Sequence, residues 1–286
     1  MQLPYYITRE DILASCRLAL AEDVRDGDAT TLAVVPDAAR ITAKFVARKS
    51  CVVCGIPVAS AVFELLGGSI EFEARVEDGH NCEAGQCIAV VTGDARTILT
   101  GERTALNYMQ RLSGIATITA KYVAALGETS TKLLDTRKTT PGLRLLEKYA
   151  VFCGGGQNHR IGLFDRIMIK DNHRELAKLL GPDSIACAVE LCRRKYPELE
   201  IEVEADCLEE VSAAADAGVE YILLDNMSNE MMSEAIKLGN GRSKMEASGN
   251  ITLERLPSLR NLGLDFISCG ALTHSAPSVD IGLDIE

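Results

Sequence analysis

The first hydrophobic pattern in the chain is that of an amphipathic helix. Apolar residues from Ile12 to Leu20 recur at the spacing that places them on one helical face. Thr8 can cap this helix, and Asp11, three residues later, can complete a capping box. The pattern fades in the acidic, turn-forming residues 23–28. The sequence therefore predicts one helix near the start of the chain, ended by a turn.

A different texture follows between residues 41 and 99. The apolar runs become short and rich in β-branched residues, and glycine-containing turns such as Gly67-Gly68 separate them. A single helical segment, residues 58–66, interrupts these runs. The pattern predicts an α+β domain with a mostly antiparallel sheet, with strands at residues 41–47, 51–54, 70–75 and 87–91.

The rest of the chain alternates between short apolar runs and helical segments. Two helices are predicted first, at residues 101–112 and 115–126, with a break near Ser113-Gly114. Later helical segments include residues 172–180 and 253–261. Strand–helix alternation implies parallel strands joined by right-handed crossovers. The predicted strands are residues 132–134, 166–169, 200–203, 221–224, 244–247 and 265–268.

About six such strands would form a barrel, which could be incomplete, or an open doubly wound sheet. The predicted fold class is therefore α/β, with an α+β domain at the N-terminus and a parallel α/β domain after it. We place the boundary near Ser113, so that residues 1–112 form the first domain and the second domain begins at residue 113.

Composition limits the possible partners. The chain has 286 residues, of which 47% are hydrophobic and 25% are charged, a normal balance for a globular protein. The net charge of −11 argues against nucleic acid as a general partner, because phosphate backbones need a basic surface. Any anionic ligand must therefore be bound by a local cluster of basic residues.

Cysteine usage and hydropathy point to the cytoplasm. The ten cysteines are scattered through apolar segments, which favours free thiols in a reducing compartment. Residues 1–9 lack the pattern of a secretory signal, and we expect no membrane span. Cys51 and Cys54 resemble half a zinc site, with His80 and Cys82 as the only nearby further ligands. Their β-branched surroundings favour packing in a sheet instead.

Charged residues follow the predicted parallel strands. Because the carboxyl ends of parallel strands open on one face, we expect these side chains to converge. One lysine after a strand is usually only solvated, but charges at successive strand ends favour a site. Carboxylates there can bind ribose hydroxyls or Mg²⁺, and cations can neutralise pyrophosphate or carboxylates. The residues are Arg137, Lys138, Lys170, Glu204 and Asp225.

Glycines mark two further kinds of candidate. Turns at Gly249 and Gly270 would expose backbone N–H groups at helix starts, where a phosphate binds well. The run of three glycines at residues 154–156 would let the backbone approach a ligand, with His159 and Arg160 as donors beside it. The alternative for this run is a flexible surface loop. It lacks the spacing of a dinucleotide-binding fingerprint.

Several of these segments, in order, resemble the motifs of the quinolinate phosphoribosyltransferase family. The similarity extends almost from end to end, and the most recognisable motif is DTRKTTPG at residues 135–142. The others are ERTALN at 102–107, RLSGIAT at 111–117, GGGQNHR at 154–160, IKDNH at 169–173, EVE at 202–204, LDN at 224–226, ASG at 247–249 and SCG at 268–270.

The resemblance implies a fold, a reaction and an assembly. The expected subunit is an α/β sandwich, residues 1–112 joined by the C-terminal tail 273–286, with an incomplete α/β barrel at residues 113–272. The expected reaction joins quinolinate to phosphoribosyl pyrophosphate and releases carbon dioxide, giving nicotinate mononucleotide for NAD biosynthesis. The expected cofactor is Mg²⁺. The expected assembly is a homodimer, with a higher oligomer left open.

The resemblance also implies residue roles. The quinolinate carboxylates would be bound by Arg137, His159, Arg160 and Lys170. Arg103, taken by itself, has the pattern of an ordinary exposed helix residue, but the resemblance implies that it reaches in from the partner subunit. The expected catalytic residues, in contact with phosphoribosyl pyrophosphate and its Mg²⁺, are Lys138, Glu204 and Asp225. The expected 5-phosphate site is Ser248, Gly249, Asn250 and Gly270.

One position departs from the family pattern. Family members often have glycine where this chain has Asn250. Asparagine tolerates the left-handed backbone conformation, so we expect the turn to survive.

Two alternatives stay open beside this hypothesis. The chain could be a related phosphoribosyltransferase for nicotinate or another base, including relatives associated with molybdate transport. It could also be a non-catalytic phosphate-binding or regulatory protein. A pocket for a single carboxylate needs fewer cations, so the full cationic set favours a diacid. Intact Lys138, Glu204 and Asp225 argue against a protein that has lost its activity.

Overall fold

A computed structural model describes residues 3–177 and 184–286 of the chain. Its helices are α1 (Arg9–Asp23), α2 (Ala29–Val34), α3 (Ile56–Leu66), α4 (Ala95–Leu126), α5 (Arg144–Cys153), α6 (Asp171–Ala177), α7 (Ser184–Lys195), α8 (Leu208–Asp216), α9 (Asn229–Gly239), α10 (Leu256–Leu259) and α11 (Ala271–His274). Its strands are β1 (Arg40–Ala47), β2 (Cys51–Val52), β3 (Glu71–Ala74), β4 (Asn81–Cys82), β5 (Cys87–Asp94), β6 (Lys132–Leu134), β7 (Ile167–Ile169), β8 (Ile201–Ala205), β9 (Tyr221–Asp225), β10 (Lys244–Ser248), β11 (Phe266–Ser268) and β12 (Ile281–Ile285).

The chain divides into two compact units. The first consists of Met1–Ala120, Thr139–Gly155 and Leu272–Glu286, and the second of Lys121–Lys138 and Gly156–Ala271. The boundary that we placed at residues 112 and 113 falls inside α4, which runs from the first unit into the second.

The first unit contains an antiparallel sheet with the strand order β12-β1-β5-β3. Its C-terminal strand pairs with β1, so the tail of the chain forms one edge of this sheet. Phe45 of β1, Phe63 of α3 and Phe72 of β3 form an aromatic cluster that joins the sheet to the helix. Helix α1 packs on α3, and Thr8 and Asp11 form the predicted capping box. This α+β architecture confirms the fold predicted for the N-terminal half.

The predicted break near Ser113-Gly114 is wrong, because α4 is continuous there. Both small residues serve close packing instead. The Ser113 hydroxyl accepts from the backbone N–H of Cys54 at 2.9 Å and donates to its carbonyl at 3.1 Å. A Cβ on Gly114 would collide with the carbonyl oxygen of Pro277. A small residue inside a helix can therefore mark a close contact rather than an end.

The cysteines of the possible zinc pattern lie in and beside a small two-stranded sheet. Cys51 of β2 is directly opposite Cys82 of β4, and both side chains are buried. Cys54 follows β2 and is fully buried. Packing in a sheet, the interpretation that we favoured, describes this arrangement.

The second unit is built on a parallel sheet with the strand order β6-β11-β10-β9-β8-β7. Helices connect successive strands, as expected for right-handed crossovers. The first strand, β6, pairs with the last strand, β11, so the strand order follows a ring. The ring is open between β6 and β7, and the strands therefore form an incomplete barrel. The predicted α/β fold class is confirmed.

Two predicted helices of this unit compare differently with those observed. Helix α6 agrees with the prediction as far as Ala177, and residues 178–180 of the predicted helix lie outside the described residues. The helix predicted over residues 253–261 is only the short α10, with Pro257 in its first turn. Proline is favoured at the start of a helix and breaks its interior, so the helix cannot extend back through it. Among the described residues, no helix has the length and apolarity needed to cross a membrane.

Candidate active site

A pocket of about 430 Å³ lies at the carboxyl ends of the parallel strands in the second unit. All five strand-end charges singled out from the sequence line it, and so do His159, Arg160 and Ser248. Parallel strands bring such residues together because all their carboxyl ends open on the same side. The full lining is Thr136, Arg137, Lys138, His159, Arg160, Met168, Lys170, Glu204, Leu223, Asp225, Glu246, Ser248 and Ser268.

The alternation of side chains along each strand explains the lining. Residues two apart on a strand point to the same face. Leu223 and Asp225 of β9 therefore share one face, as do Glu246 and Ser248 of β10, and all four line the pocket. The residue nearest the strand end is polar in both cases, and its partner two positions earlier lies deeper in the barrel.

Lys170 and Glu204 form an ion pair at the ends of β7 and β8. The Lys170 ammonium donates a hydrogen bond to Oε2 of Glu204, and Lys170 is the more exposed of the two side chains. One carboxylate oxygen of Glu204 is therefore in contact with a cation in the structure described here. A phosphate or carboxylate entering the pocket would compete with Glu204 for the lysine.

Asp135 holds two segments of the pocket together. Its carboxylate is fully buried and accepts hydrogen bonds from the Asn158 side chain at 2.7 Å and from the His159 backbone N–H at 2.9 Å. The backbone of Gln157 also pairs with Leu133 and with Asp135 beside β6. The segment that carries Arg137 is thereby fixed to the segment that carries His159.

The first two glycines of the run at residues 154–156 have roles in the local fold. A Cβ on Gly154 would collide with the carbonyl oxygen of Ala116 in α4, so its small size is required by helix packing. Gly155 has φ +86°, a left-handed conformation that favours glycine. These two glycines turn the chain sharply at the end of α5.

His159 has a protein group at each ring nitrogen. Nδ1 accepts a hydrogen bond from the Arg160 backbone N–H at 2.7 Å. Nε2 lies 3.1 Å from Oε2 of Glu202 and 3.5 Å from Oε1 of Glu246. Because Nδ1 must lack a proton to accept, the proton that faces the carboxylates is on Nε2.

Burial and charge oppose each other at this histidine. Burial lowers the pKa of His159, but the Glu202 and Glu246 carboxylates outweigh it and raise the pKa to about 9. The Arg160 backbone N–H works against that rise, because full protonation of the ring would break its hydrogen bond to Nδ1. Burial and the neighbouring Glu202 raise the pKa of Glu246.

Arg160 lies in a crowded cationic region. It is almost completely buried, and its Nη1 donates to the carbonyl of Arg166 at 2.9 Å. Burial and the nearby Arg137 lower the pKa of Arg160. Cations brought this close together repel each other, which favours an anion between them.

The segment after β10 has the conformation expected at Asn250, which is left-handed with φ 51°. Its side chain donates to Oδ1 of Asn226 at 3.1 Å, and the Asn226 backbone N–H donates to the carbonyl of Ser248 at 3.0 Å. Arg255 supports the turn by donating to the carbonyls of Gly249 and Met227. The segment is therefore fixed by side chains of the chain itself.

One expectation for this segment is wrong. No helix starts at Gly249, because α10 begins only at Leu256. Helix α11 does begin directly after Gly270, but it has only four residues. Any phosphate site here therefore depends on turn backbone more than on a helix N-terminus.

The remaining predicted residues lie outside the pocket lining. Gly249, Asn250 and Gly270 belong to the second unit and follow strands that end at the pocket. Arg103 belongs to the first unit, where it is an exposed residue of α4.

Comparisons with known proteins decide the family. The model of the quinolinate phosphoribosyltransferase N-terminal domain matches residues 28–113, and that of the C-terminal domain matches residues 115–284. The chain belongs to the quinolinate phosphoribosyltransferase family. It is 44% identical over 270 residues to the probable nicotinate-nucleotide pyrophosphorylase [carboxylating] of a Synechocystis strain, covering 93% of this chain and 90% of that relative.

Solved structures agree with this family. The NadC structure from Streptococcus pyogenes is 41% identical, with a TM-score of 0.91 over 98% of this chain and 99% of that one. The nicotinate-nucleotide pyrophosphorylase structure from Francisella tularensis is 37% identical, with a TM-score of 0.92 over the full length of both chains. The two units described above therefore have the architecture of family members.

The donors in the pocket fit a magnesium ion shared with a substrate. Mg²⁺ favours one or two carboxylates, with its other ligands from water and phosphate oxygens. Glu204 and Asp225 line the same pocket from neighbouring strands and provide such oxygens. Glu204 would have to accept the ion beside its lysine partner.

Two glutamates beside His159 of this quinolinate phosphoribosyltransferase pocket were not selected from the sequence. Glu202 precedes Glu204 by two positions, and Glu246 precedes Ser248 by two. The period of two was enough to place both on the inner face of the barrel. The strand charges that indicated a site in the sequence stand at or just after the strand ends, where solvent reaches the side chains.

Proposed function

We propose that the protein transfers the phosphoribosyl group of phosphoribosyl pyrophosphate to quinolinate, with loss of carbon dioxide, to make nicotinate mononucleotide for NAD biosynthesis. This is the reaction described by the names of its family and of its relatives. The observation that carries the proposal is the pocket of the second unit, where cationic side chains and two strand-end carboxylates meet. A net charge of −11 makes such a local group of cations unexpected unless it binds an anion.

The cations suit a substrate with two carboxylates. Arg137, Arg160 and Lys170 line the pocket together and can neutralise both groups of a diacid. Arginine can bind a carboxylate through two parallel hydrogen bonds, which also orients the ring. Orientation matters because the ring nitrogen must face the anomeric carbon of the ribose before it can attack.

The other half of the pocket suits the sugar and its pyrophosphate. Lys138 is exposed at the mouth and can neutralise pyrophosphate oxygens. Glu204 and Asp225 can accept hydrogen bonds from ribose hydroxyls and would hold the magnesium ion. That ion, when bound, would neutralise charge on the leaving pyrophosphate. The turn at residues 248–250, with Gly270, would receive the 5-phosphate.

The charges of the pocket and of the substrate also suit each bond change of the reaction. As the bond to pyrophosphate breaks, the anomeric carbon becomes positive, and Glu204 or Asp225 can stabilise that charge. The ring nitrogen then forms the new bond and becomes a pyridinium. The pyridinium accepts the electron pair released when the neighbouring carboxylate leaves as carbon dioxide, and a proton replaces that carboxylate.

The assembly and location are part of the same proposal. We infer a homodimer in which Arg103 enters the partner's pocket, as the family resemblance implies. Exposure of Arg103 on α4 is compatible with that role. A cytoplasmic location is supported by the ten cysteines, which are all free thiols in the described residues.

One assay tests the reaction. The protein is mixed with quinolinate, phosphoribosyl pyrophosphate and Mg²⁺, and the release of carbon dioxide and formation of nicotinate mononucleotide are measured. Product from quinolinate is the expected result. Product from nicotinate without product from quinolinate would replace this proposal with a nicotinate phosphoribosyltransferase, and no product from either base would favour a binding protein.

A second experiment tests the shared pocket. Arg103→Ala and Lys138→Ala subunits are each expected to be inactive as homodimers. In a mixed dimer one pocket would carry both substitutions and the other would be intact, so mixing should restore activity. Mixed dimers that form but stay inactive would exclude the role of Arg103 across the interface.

A further inference from the structure

Two fully buried carboxylates lie next to one histidine inside the barrel. Glu202 and Glu246 have no exposed surface, and both are within 3.5 Å of Nε2 of His159. Glu246 lines the pocket with His159, whereas Glu202 does not. The group therefore connects the pocket to the interior of the barrel.

Such a group is costly for the fold. Burying a carboxylate costs several kcal/mol unless cations and hydrogen bonds compensate, and two adjacent carboxylates also repel each other. Apolar residues at both positions would form a cheaper core. Besides His159, the compensation is small in the part of the chain that the structure describes. The Ser268 side chain stabilises the Glu246 carboxylate, and Arg166 Nη1, whose guanidinium stacks on Tyr221, lies 3.7 Å from Glu202. A cost of this kind close to a pocket suggests a role there.

The contacts continue from the carboxylates to Arg160. Nε2 of His159 faces the two glutamates, and its Nδ1 accepts the Arg160 backbone N–H at 2.7 Å. The imidazole therefore bridges the buried carboxylates and the backbone of Arg160. Rotation of the ring would break contacts on both sides at once.

We propose that Glu202 and Glu246 are positioning residues, which fix the His159 ring and through it hold Arg160 in place for the diacid substrate. This inference rests on the proposed function. The two glutamates touch no substrate in this scheme. Glu202 also attracts the Arg160 cation, which offsets the repulsion between Arg160 and Arg137 before a substrate carboxylate arrives.

The test compares Michaelis constants for the two substrates. In the Glu202→Gln/Glu246→Gln variant, side-chain size is retained and both charges are lost. We expect the KM for quinolinate to rise at least ~10-fold, with the KM for phosphoribosyl pyrophosphate within ~2-fold of wild type. Each single variant should show a smaller shift in the same direction, and the single variants carry the comparison if the double variant does not fold.

A double-mutant cycle tests the route through Arg160. If the glutamates act by way of Arg160, adding Arg160→Lys to the double variant should raise the quinolinate KM little further. Glu220→Gln is the matched control, because Glu220 accepts a backbone hydrogen bond from Ile201 at the far end of β8. It should lower the denaturation midpoint without changing the quinolinate KM.

Several results would overturn the inference. These are an unchanged quinolinate KM, an equal rise of both KM values, full additivity with Arg160→Lys, or a metal ion found by elemental analysis in the wild type and lost in the variant. In the last case the carboxylates would be metal ligands. The proposed function is judged separately, since its failure would be wild-type protein without turnover of quinolinate.

Discussion

Arg111 of α4 and Glu147 of α5 form a buried ion pair that connects three segments of the first unit. The guanidinium donates to Oε1 of Glu147 at 2.8 and 3.1 Å, and Glu147 has no exposed surface. Arg111 also donates to the carbonyls of Thr273 and Ala276. Glu147 accepts in addition from the backbone and hydroxyl of Thr140. One pair thus fixes the segment after β6 and the start of the C-terminal tail.

Removing either partner should be strongly destabilising. Arg111→Ala would leave the Glu147 carboxylate buried without its cation, which typically costs about 3–5 kcal/mol. The measurement is the urea midpoint of the purified protein. The Arg111→Met/Glu147→Leu variant should be less destabilised than Arg111→Ala, because no unpaired charge remains.

An exposed pair provides the control. Arg17 and Glu10 of α1 also form an ion pair, but both side chains are at least half exposed. Arg17→Ala should therefore change stability by less than ~1 kcal/mol. Similar losses for Arg111→Ala and Arg17→Ala would show that the buried pair is not a main connection of this unit.

The fold class was predictable because periodicity is a local signal. Strand–helix alternation after Lys132 is visible in the sequence, and the parallel barrel follows from it. The end of β1 pairs with Ile281 at the far end of the chain, and such a partner leaves no trace in a local pattern. The helix break predicted at Ser113 and Gly114 was wrong for the same reason, because the residues that they pack against are distant in sequence.

The strand-end charges of the candidate site, with His159 and Arg160, were predictable from the sequence, but the carboxylates deeper in the barrel were not. Lys170 and Glu204 stand where strands end, and charges at that place are informative. The deeper pair, Glu202 and Glu246, looks like ordinary alternation until the histidine between them is known. Their partner His159 lies far away in the sequence, and only the fold brings the three together.

Gly114→Ala should destabilise the protein, although the opposite is normal for a helix. Alanine is favoured over glycine inside a helix by roughly 1 kcal/mol. Here the added methyl would meet the carbonyl oxygen of Pro277, so the tail would have to move. We expect a loss of about 1–3 kcal/mol in urea denaturation. Lys121→Ala, an exposed site on the same helix, is the control; a stabilising Gly114→Ala would contradict the observed packing.

Asn250 allows a test of backbone conformation in the proposed phosphate turn. Its φ of 51° is left-handed. Asn250→Gly should keep the KM for phosphoribosyl pyrophosphate close to wild type, because glycine adopts this conformation freely. Asn250→Ala must bear a cost of roughly 1–2 kcal/mol, and its KM for phosphoribosyl pyrophosphate should rise. Equal KM values for the two variants would show that the turn does not depend on this conformation.

The burial of the Cys16 thiol predicts that the protein loses stability at alkaline pH. Its thiol is fully buried where α1 meets α3, and Sγ donates to the carbonyl of Val58 at 3.7 Å. Burial raises the pKa of Cys16 to about 12, from the ordinary value of 9.0. The unfolded chain therefore loses this proton first as pH rises.

The direction of the effect follows from that difference. The folded state holds the proton more tightly, so the stabilisation is complete below pH 9 and is lost between pH 9 and about 12. Within this window the free energy of unfolding should fall by up to ~1.4 kcal/mol per pH unit from this group alone. The measurement is the difference in urea midpoint between wild type and Cys16→Ala at pH 7 and pH ~10.5. The difference cancels the other titrating groups, and wild type should lose its advantage over the variant as pH rises. An advantage that stays constant would mean that the Cys16 thiol ionises equally in the folded and unfolded chains.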